Sequence, residues 1–266
     1  MDNRTNAALA PAPRAASLGG YRARLAGSAA DLRAAQSLRF KVFNLELQEG
    51  LAESYLTGVD SDPFDAVCDH LLLEASGGGA LVGTYRMQSG SRAAQGIGYY
   101  CEREFDFAPY EPLRPHMLEL GRACIAPGHR NYAALSALWR GVVAYAQAQG
   151  QRFLVGCSSL TSQDAAAGAA VYQMLAPHLA PLPLRTRPHA AFECSMHQRI
   201  GPAAQFAKVP KLLAAYMALG AHICGPPAID REFRTIDFLT LLDLQPGSSA
   251  AASRLARFGV VHRSGG

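Results

Sequence analysis

Residues 117–131, with the sequence M-L-E-L-G-R-A-C-I-A-P-G-H-R-N, decide the fold of this 266-residue chain. The first ten of these residues are mainly apolar and predict a strand over 117–126. The next four, Pro-Gly-His-Arg, predict a turn, and Asn131 is a favourable N-cap for a helix. A strand, a turn and a helix in direct succession at the centre of the chain are typical of a mixed α/β arrangement.

The part of the chain before this unit is predicted to contain an opening strand, a helix and a hairpin. Residues 21–26 alternate between apolar and polar side chains, as in a strand. A capping box then predicts a helix from Ser28 to about Phe43. The acidic segment 46–69 lacks a sustained period and reads as a loop. Two apolar runs joined by Ser-Gly-Gly-Gly, 70–75 and 80–88, predict a β-hairpin.

The part after the central unit is predicted to continue the same alternation of strands and helices. The predicted elements are a strand at 152–160, a helix from 161 or 162 through 175, a Pro-rich connector at 176–190, a strand at 192–197, a helix at 210–219 and a last strand at 238–244. We therefore expect one α/β (α+β) domain over 21–244, with 200–244 as an appendage. We expect disordered tails at 1–20 and 245–266, which are rich in small and polar residues.

Composition excludes several classes of protein. No run approaches the ~18 apolar residues of a membrane-spanning helix, and the first twenty residues lack the apolar core of a secretory signal. The six cysteines lie far apart without a C-x-x-C pair, so we expect reduced thiols and no metal site. Basic runs with interleaved aromatic residues are missing as well, so we expect no nucleic-acid partner. These features are those of a cytoplasmic protein.

The predicted strand–turn–helix unit carries the chemistry. The start of a helix exposes unpaired N–H groups, and Arg130 adds a charge suited to a phosphate. Glu119 on the preceding strand is a carboxylate that can remove a proton from an amine. Together these groups suit acyl transfer from a phosphopantetheine thioester to an amine. Taken alone, the pattern also fits a packing corner with a surface arginine.

A resemblance to a known family sharpens this expectation. The run E-L-G-R-A-C-I-A-P-G-H-R-N (119–131) followed by L-W-R-G-V-V-A-Y (138–145) resembles the central motif of the GNAT superfamily. It is most similar to the branch of bacterial L-ornithine Nα-acyltransferases, which begin ornithine-lipid synthesis. Further similar motifs are L-R-F-K-V-F (38–43), the acidic segment from Asp60 or Asp62 to Leu72, and T-Y-R-M (84–87). These upstream motifs also resemble the acyl-homoserine-lactone synthases.

Downstream motifs separate these two branches. G-C-S-S-L (156–160), V-P-K-L-L-A-A-Y-M-A-L-G-A (209–221) and A-I-D-R-E-F-R-T-I-D-F (228–238) resemble the ornithine acyltransferases alone. The match covers roughly residues 30–244. The resemblance implies a GNAT-like fold with a mixed, mostly antiparallel sheet flanked by helices. It also implies that a (3-hydroxy)fatty acyl chain passes from acyl-carrier protein to the α-amine of ornithine.

The resemblance also assigns a donor and its contacts. It implies no permanently bound cofactor, with acyl-carrier protein delivering the acyl phosphopantetheine thioester as partner and substrate. The candidate donor-binding residues lie at the turn and helix start: Ile125, Ala126, Arg130, Asn131 and Tyr132. The superfamily's R-x-x-G-x-G/A turn would place glycine near Ala133 and Leu135, where this chain has none. A single carrier phosphate needs less close backbone approach than coenzyme A, so the departure favours the carrier protein.

The candidate catalytic residues are Glu119, as general base, and Arg122. In regular strand geometry Arg122 points to the face opposite Glu119. The candidate substrate-binding residues are Arg39, Asp60, Asp62, Asp65 and Arg86. The aspartates either hold the cationic side chain of ornithine or form a solvated loop. The arginines either grip the amino acid's carboxylate or hold that loop in place.

Other functions stay open at this point. The same enzyme chemistry suits another amino acid (glycine, glutamine or tyrosine) and, less well, a homoserine-lactone synthase. A non-catalytic carrier-binding or lipid-binding module on the same fold is a further alternative. The segment S-R-L-A-R-F-G-V-V-H-R (253–263) mixes arginine with apolar residues. It reads either as a frayed tail or as a segment that touches the anionic inner-membrane surface.

Overall fold

A nine-stranded sheet forms the centre of the computed structural model, which describes residues 16–196, 207–245 and 249–259. The strands are β1 (Ala16–Leu18), β2 (Tyr21–Leu25), β3 (Asp69–Ala75), β4 (Leu81–Ser89), β5 (Met117–Ile125), β6 (Phe153–Leu160), β7 (His222–Ile223), β8 (Ala228–Asp230) and β9 (Thr235–Asp243). Their order is β1-β2-β3-β4-β5-β6-β9-β7, with β8 paired to β9. Among these described strands, β5 and β6 are the one parallel pair. The prediction of a mixed, mostly antiparallel sheet is confirmed.

Helices cover the sheet. They are α1 (Ala29–Phe40), α2 (Ser54–Thr57), α3 (Gly90–Gln95), α4 (Tyr132–Ala148), α5 (Ala165–Met174), α6 (Lys211–Leu219) and α7 (Ser249–Ala256). A π-helical turn, Lys41–Glu46, continues α1 directly. No helix among the described residues is long and apolar enough to span a bilayer.

The central unit of the chain folds as its sequence predicts. β5 runs into a short 3-10 turn, and the side chain of Asn131 caps α4 by accepting a hydrogen bond from the N–H of Ala134 (3.0 Å). The apolar stripe of α4, including Leu138 and Val142, is buried against β2, β3 and β4. A Cβ on Gly141 would lie 2.9 Å from a methyl group of Leu71, so this glycine lets the helix lie close to the sheet.

Several other predicted elements are confirmed. Ser28 caps α1 by accepting from the N–H of Asp31, and the hairpin is formed by β3 and β4. The helix predicted at 210–219 is α6, and the last predicted strand, 238–244, overlaps β9. All six cysteines are free thiols, as expected from their spacing.

The predicted domain limits need correction at both ends. Ala16–Leu18 pairs with β2, so the domain includes residues that we assigned to the N-terminal tail. Near the other end, α7 lies in the predicted tail, yet Leu255 is fully buried and Phe258 packs 6.0 Å from the ring of Trp139. These apolar side chains are packed on the domain. Residues 1–15, 246–248 and 260–266 lie outside the described residues.

Two predicted elements are wrong in detail. The helix expected from 161 or 162 begins at Ala165, because the Asp164 carboxylate supplies the N-cap by accepting from the N–H of Ala166. The expected strand at 192–197 is a 3-10 turn, Ala190–Phe192, followed by a single bridge from Glu193 to Ala228. Position 197 and the following residues through 206 lie outside the described residues.

Candidate active site

The parallel pair β5–β6 opens into a cavity. The two strands pair only at Met117–Phe153, Leu118–Leu154 and Glu119–Val155, although both strands continue well beyond. Beyond Glu119 they diverge, and a cavity of about 640 Å³ is lined by residues of both. A Cβ on Gly156 would lie 2.3 Å from the carbonyl oxygen of Leu120, so glycine permits the close backbone approach where the strands part.

Glu119 lies on the wall of this cavity with a fixed, ionisable carboxylate. Its side chain is 5% exposed. One carboxylate oxygen accepts the backbone N–H of Tyr100 (3.0 Å) and the other that of Cys101 (2.8 Å). Burial raises the pKa of Glu119, although these N–H groups and the charge of Arg86 oppose the shift. A carboxylate with a raised pKa is a stronger base, as proton abstraction from an amine requires.

Arg122 lines the same cavity as Glu119 because β5 contains a bulge. Thr84 pairs with Cys124 and Arg86 with Gly121, so Tyr85 faces two residues of β5. Arg122 is one of these two and has a φ of +49°. The expectation that Arg122 points to the opposite face from Glu119 is therefore wrong, since the bulge interrupts the regular alternation. The guanidinium lies 5.0 Å from the ring centroid of Tyr100, whose N–H holds Glu119.

Three arginines and three aspartates form a buried charge network beside the cavity: Arg39, Arg86, Arg122, Asp60, Asp62 and Asp65. Arg39, on α1, is fully buried and lies 2.7 Å from a carboxylate oxygen of Asp60 and 2.6 Å from one of Asp65. Arg39 therefore ties the acidic segment to α1.

Asp62 joins the other two arginines of the network. Its carboxylate oxygens lie 2.5 Å from Arg86 and 2.9 Å from Arg122. Burial opposes ionisation of Asp62, but the charges of both arginines outweigh it and hold the pKa of this carboxyl below its ordinary value. Asp62 also caps the 3-10 turn Pro63–Ala66. The network is thus internally balanced, with one arginine for each aspartate.

The predicted substrate-binding residues divide between the cavity and the network behind it. Arg86 lines the cavity, whereas Arg39, Asp60, Asp62 and Asp65 do not. All four of these charged groups form ion pairs with one another or with the remaining arginines. Their arrangement fits the sequence alternative in which the arginines hold the acidic loop. Direct contact between these residues and a substrate stays a prediction.

The predicted donor-binding residues lie where β5 meets α4, and all but Ala126 line the cavity. Arg130 donates from Nε to the carbonyl of Ile125 (2.8 Å) and pairs through two hydrogen bonds with Glu46 (2.6 and 2.7 Å). Tyr132 is exposed beside it. The first N–H groups of α4 lack intrahelical partners, as in any helix. An anion at this position would contact the helix start and a half-exposed arginine.

Sequence reasoning missed two acidic residues that line the cavity, Glu49 and Asp237. Glu49 accepts a hydrogen bond from the hydroxyl of Thr161 (2.8 Å), and burial raises its pKa to about 7. Burial, together with the charge of Asp230, also raises the pKa of Asp237. The available signal was an aspartate within the apolar run T-I-D-F-L-T-L-L of β9.

Asp237 belongs to a small buried group with Glu104 and Cys157. The side-chain oxygen or sulfur atoms of the three lie within 4.8 Å of one another, a spacing suited to a metal ion. Within residues 16–196, 207–245 and 249–259, this is the one group with that spacing. The Cys157 thiol lies 3.8 Å from a carboxylate oxygen of Glu104. Contact with Cys101 and burial raise the pKa of the Cys157 thiol well above its ordinary value, so it stays protonated.

The remainder of the cavity wall is an apolar chamber. It is formed by α4, α6 and the sheet, through Leu135, Leu138, Trp139, Leu154, Leu213, Tyr216 and Leu242. The hydroxyl groups of Tyr85 and Tyr216 hydrogen-bond to each other, and the Trp139 ring lies 5.5 Å from that of Tyr216. The chamber therefore offers apolar contacts within the cavity that Glu119 also lines.

Comparisons with known proteins show which family the chain resembles. A family model described as an acetyltransferase (GNAT) domain matches residues 38–140. The L-ornithine N(alpha)-acyltransferase of Rhodobacter capsulatus is 34% identical over 85% of this chain and 90% of the relative. The enzyme of the same name from Brucella abortus is 32% identical, over 87% of each chain. The crystal structure of the AHL synthase LasI aligns with a TM-score of 0.49 at 14% identity, covering 87% of this chain and 93% of that one.

Proposed function

The chain belongs to the family of L-ornithine N(alpha)-acyltransferases, and from this premise we propose that it transfers a (3-hydroxy)fatty acyl group from acyl-carrier protein to the α-amine of L-ornithine. The product would be a lyso-ornithine lipid. One observation carries the proposal: the Glu119 carboxylate, fixed by two backbone N–H groups, lines a cavity that also includes the start of α4 and an apolar chamber.

The donor would lie along the gap between β5 and β6. Its phosphate would approach the N-terminus of α4, near Arg130 and Asn131, where unpaired N–H groups favour an anion. The missing glycines at Ala133 and Leu135 suit a single carrier phosphate better than the pyrophosphate of coenzyme A. The acyl chain would occupy the chamber between α4 and α6, where each buried methylene contributes ~0.8 kcal/mol. Since the donor is a cytoplasmic carrier, we expect the reaction there.

The chemical step is direct aminolysis of the thioester. The amine nitrogen attacks the carbonyl carbon, and Glu119 takes one proton from nitrogen, directly or through water. The carbonyl electrons move onto oxygen, where backbone N–H groups of β5 beyond its last pair with β6 would stabilise the charge. When the intermediate collapses, the carbon–sulfur bond breaks, and the thiolate leaves and is protonated. One amide and one free carrier thiol result.

A balanced assay tests the proposal. Pure protein, 3-hydroxyacyl-carrier protein and L-ornithine are incubated, and free thiol and acylated ornithine are measured by thiol titration and mass spectrometry. We expect equimolar thiol and Nα-acylornithine. Wild-type protein that releases no thiol with ornithine contradicts the proposal.

A panel of amines decides the acceptor in the same assay. Glycine, glutamine and tyrosine test the other amino-acid acceptors, and S-adenosylmethionine tests lactone synthesis. We expect ornithine to give the highest kcat/KM. Unchanged lipid composition after Glu119→Ala in cells, with the protein still folded, would instead support a non-catalytic binding module.

A further inference from the structure

The cavity contains more buried carboxyl groups than its arginines pair with. The three arginines of the charge network are matched by Asp60, Asp62 and Asp65. Five further buried carboxylates lie at or next to the cavity: Glu49, Glu104, Glu119, Asp230 and Asp237. None of these five is in a salt bridge with a described residue. A buried carboxylate without a cation is costly, so this surplus suits a positively charged ligand.

Two of the five carboxylates stand out because they line the cavity and keep an oxygen free of hydrogen bonds. Asp237 is 3% exposed, and its Oδ1 has no hydrogen-bond partner. Glu49 uses Oε2 to accept from Thr161, and no described residue donates to its other oxygen. Behind Asp237, burial and the charge of Asp237 raise the pKa of Glu104 well above its ordinary value, so this carboxyl group stays protonated and adds no charge. The free oxygens of Asp237 and Glu49 are acceptors for the N–H groups of an ammonium ion.

Strand register places this acidic group on the same face of the sheet as Glu119. Glu119 pairs with Val155, and Ser159, four residues further along β6, pairs with Asp237. Paired residues and residues two or four apart along a strand share a face. A molecule with its reacting amine at Glu119 therefore extends along β6 to reach Asp237.

From these contacts we infer that Glu49 and Asp237 form the subsite for the side-chain ammonium group of a diamino acid. The inference rests on the proposed function. It assigns recognition of the cation to Glu49 and Asp237 in place of the acidic loop at Asp60–Asp65. The α-amine then lies at Glu119 while the terminal ammonium lies between the two acidic side chains. The subsite would thus select ornithine over neutral amino acids and direct acylation to the α-nitrogen.

Removal of one charge at a time tests this assignment. Asp237→Asn and Glu49→Gln are assayed with saturating acyl-carrier protein against L-ornithine and L-norvaline, which has the same carbon skeleton without the terminal amine. We expect each variant to raise the KM for ornithine by about 10- to 100-fold, the factor that one charged hydrogen bond is worth. The kcat/KM for norvaline should stay within about twofold, because that substrate does not use the subsite.

Asp243→Asn is the matched control for Asp237→Asn. Asp243 lies on the same strand, pairs with Arg152 and is outside the cavity. We expect the control to keep the wild-type preference for ornithine. Norvaline turnover by the two test variants reports separately that they are folded and chemically competent.

The outcomes separate this inference from the proposed function. A collapse of the ornithine-to-norvaline ratio in either test variant, with the control unchanged, supports the subsite. Unchanged ratios in both variants, with ornithine acylated by the wild type, overturn the subsite alone. Failure of the wild type to acylate ornithine overturns both. A stoichiometric metal whose removal by chelator abolishes ornithine binding would assign the acidic group to that metal.

Discussion

At the scale of single residues, Glu119 is the group on which the proposed chemistry depends. Two backbone N–H groups orient its carboxylate, while burial raises its pKa above the ordinary 4.5. We expect Glu119→Gln to lower kcat by about 10²- to 10⁴-fold, the usual contribution of a general base. Steady-state assays with far-UV circular dichroism check this. Glu53→Gln, a change at an exposed position, is the control. If Glu119→Gln keeps more than half of the wild-type activity, Glu119 is not the general base.

The pH dependence of the reaction should report the same carboxyl. Glu119 must be ionised to accept a proton, and its pKa is raised. We therefore expect kcat/KM to fall as the pH drops through a value above 4.5. The pH–rate profile measures this acidic limb. If the acidic limb has its midpoint at or below pH 4.5, the ordinary glutamate pKa, a different group titrates.

Glu49 links the site to the stability of the fold. Burial raises its pKa to about 7, whereas an unfolded glutamate titrates near 4.5. The folded protein therefore binds one more proton than the unfolded chain between these values, so stability falls as the pH rises from about 4.5 to 7. We expect Glu49→Gln to raise the free energy of unfolding by up to about 3 kcal/mol at pH 8 and to have little effect at pH 4. Urea denaturation at both pH values tests this. An equal change in the free energy of unfolding at pH 4 and pH 8 would contradict the prediction.

At the scale of secondary-structure elements, the charge network attaches the acidic segment to α1. Arg39 is fully buried between Asp60 and Asp65. Removing it leaves Asp65 and Asp60 with only their longer ion pairs, to Arg86 (3.2 Å) and Arg122 (3.4 Å). We expect Arg39→Gln to lower the free energy of unfolding by about 3–5 kcal/mol.

Arg33→Gln is the matched control for this prediction. Arg33 is exposed on the same helix, so its substitution should change stability by less than about 0.5 kcal/mol. Urea titrations of the two variants give the comparison. Similar stabilities would show that the network contributes little to holding the segment.

The bulge in β5 explains why element prediction located the strand but not the direction of its side chains. The apolar pattern of 117–126 predicts the strand within one residue of Met117–Ile125. The alternation also predicts opposite faces for Glu119 and Arg122, which assumes one residue of β5 for each residue of β4. Tyr85 instead faces two residues, and the extra residue interrupts the alternation.

At the scale of the whole molecule, the apolar chamber between α4, α6 and the sheet would set the length of the acyl chain. Ala215, on α6, lines it, whereas the neighbouring Ala214 is exposed and does not. We expect Ala215→Phe to lower kcat/KM for a 16-carbon donor at least about tenfold, because excluding two methylenes costs roughly 1.6 kcal/mol. A four-carbon donor should be turned over normally. Assays across donor lengths check this, with Ala214→Phe as control; an equal loss for both donors would contradict it.

Local sequence was enough to determine most of the elements and the position of the central motif. Capping by Ser28 and Asn131, the helical period of α4 and the hairpin turn act within a few residues, so they can be read from the chain alone. For the same reason Glu119 and the start of α4 were predicted together, and both line the cavity. Strands of two or three residues, such as β7 and β8, are too short to show a period.

Only the tertiary structure decided which charges face the cavity. Asp60, Asp62 and Asp65 are conspicuous in the sequence, yet folding pairs them with buried arginines. Glu49 and Asp237, nearly two hundred positions apart, meet at the cavity because β9 pairs with β6 beside the gap. Local pattern cannot show this, because the environment of a charge depends on which distant strands and loops pack against it, and burial and pairing together determine whether it stays free for a ligand.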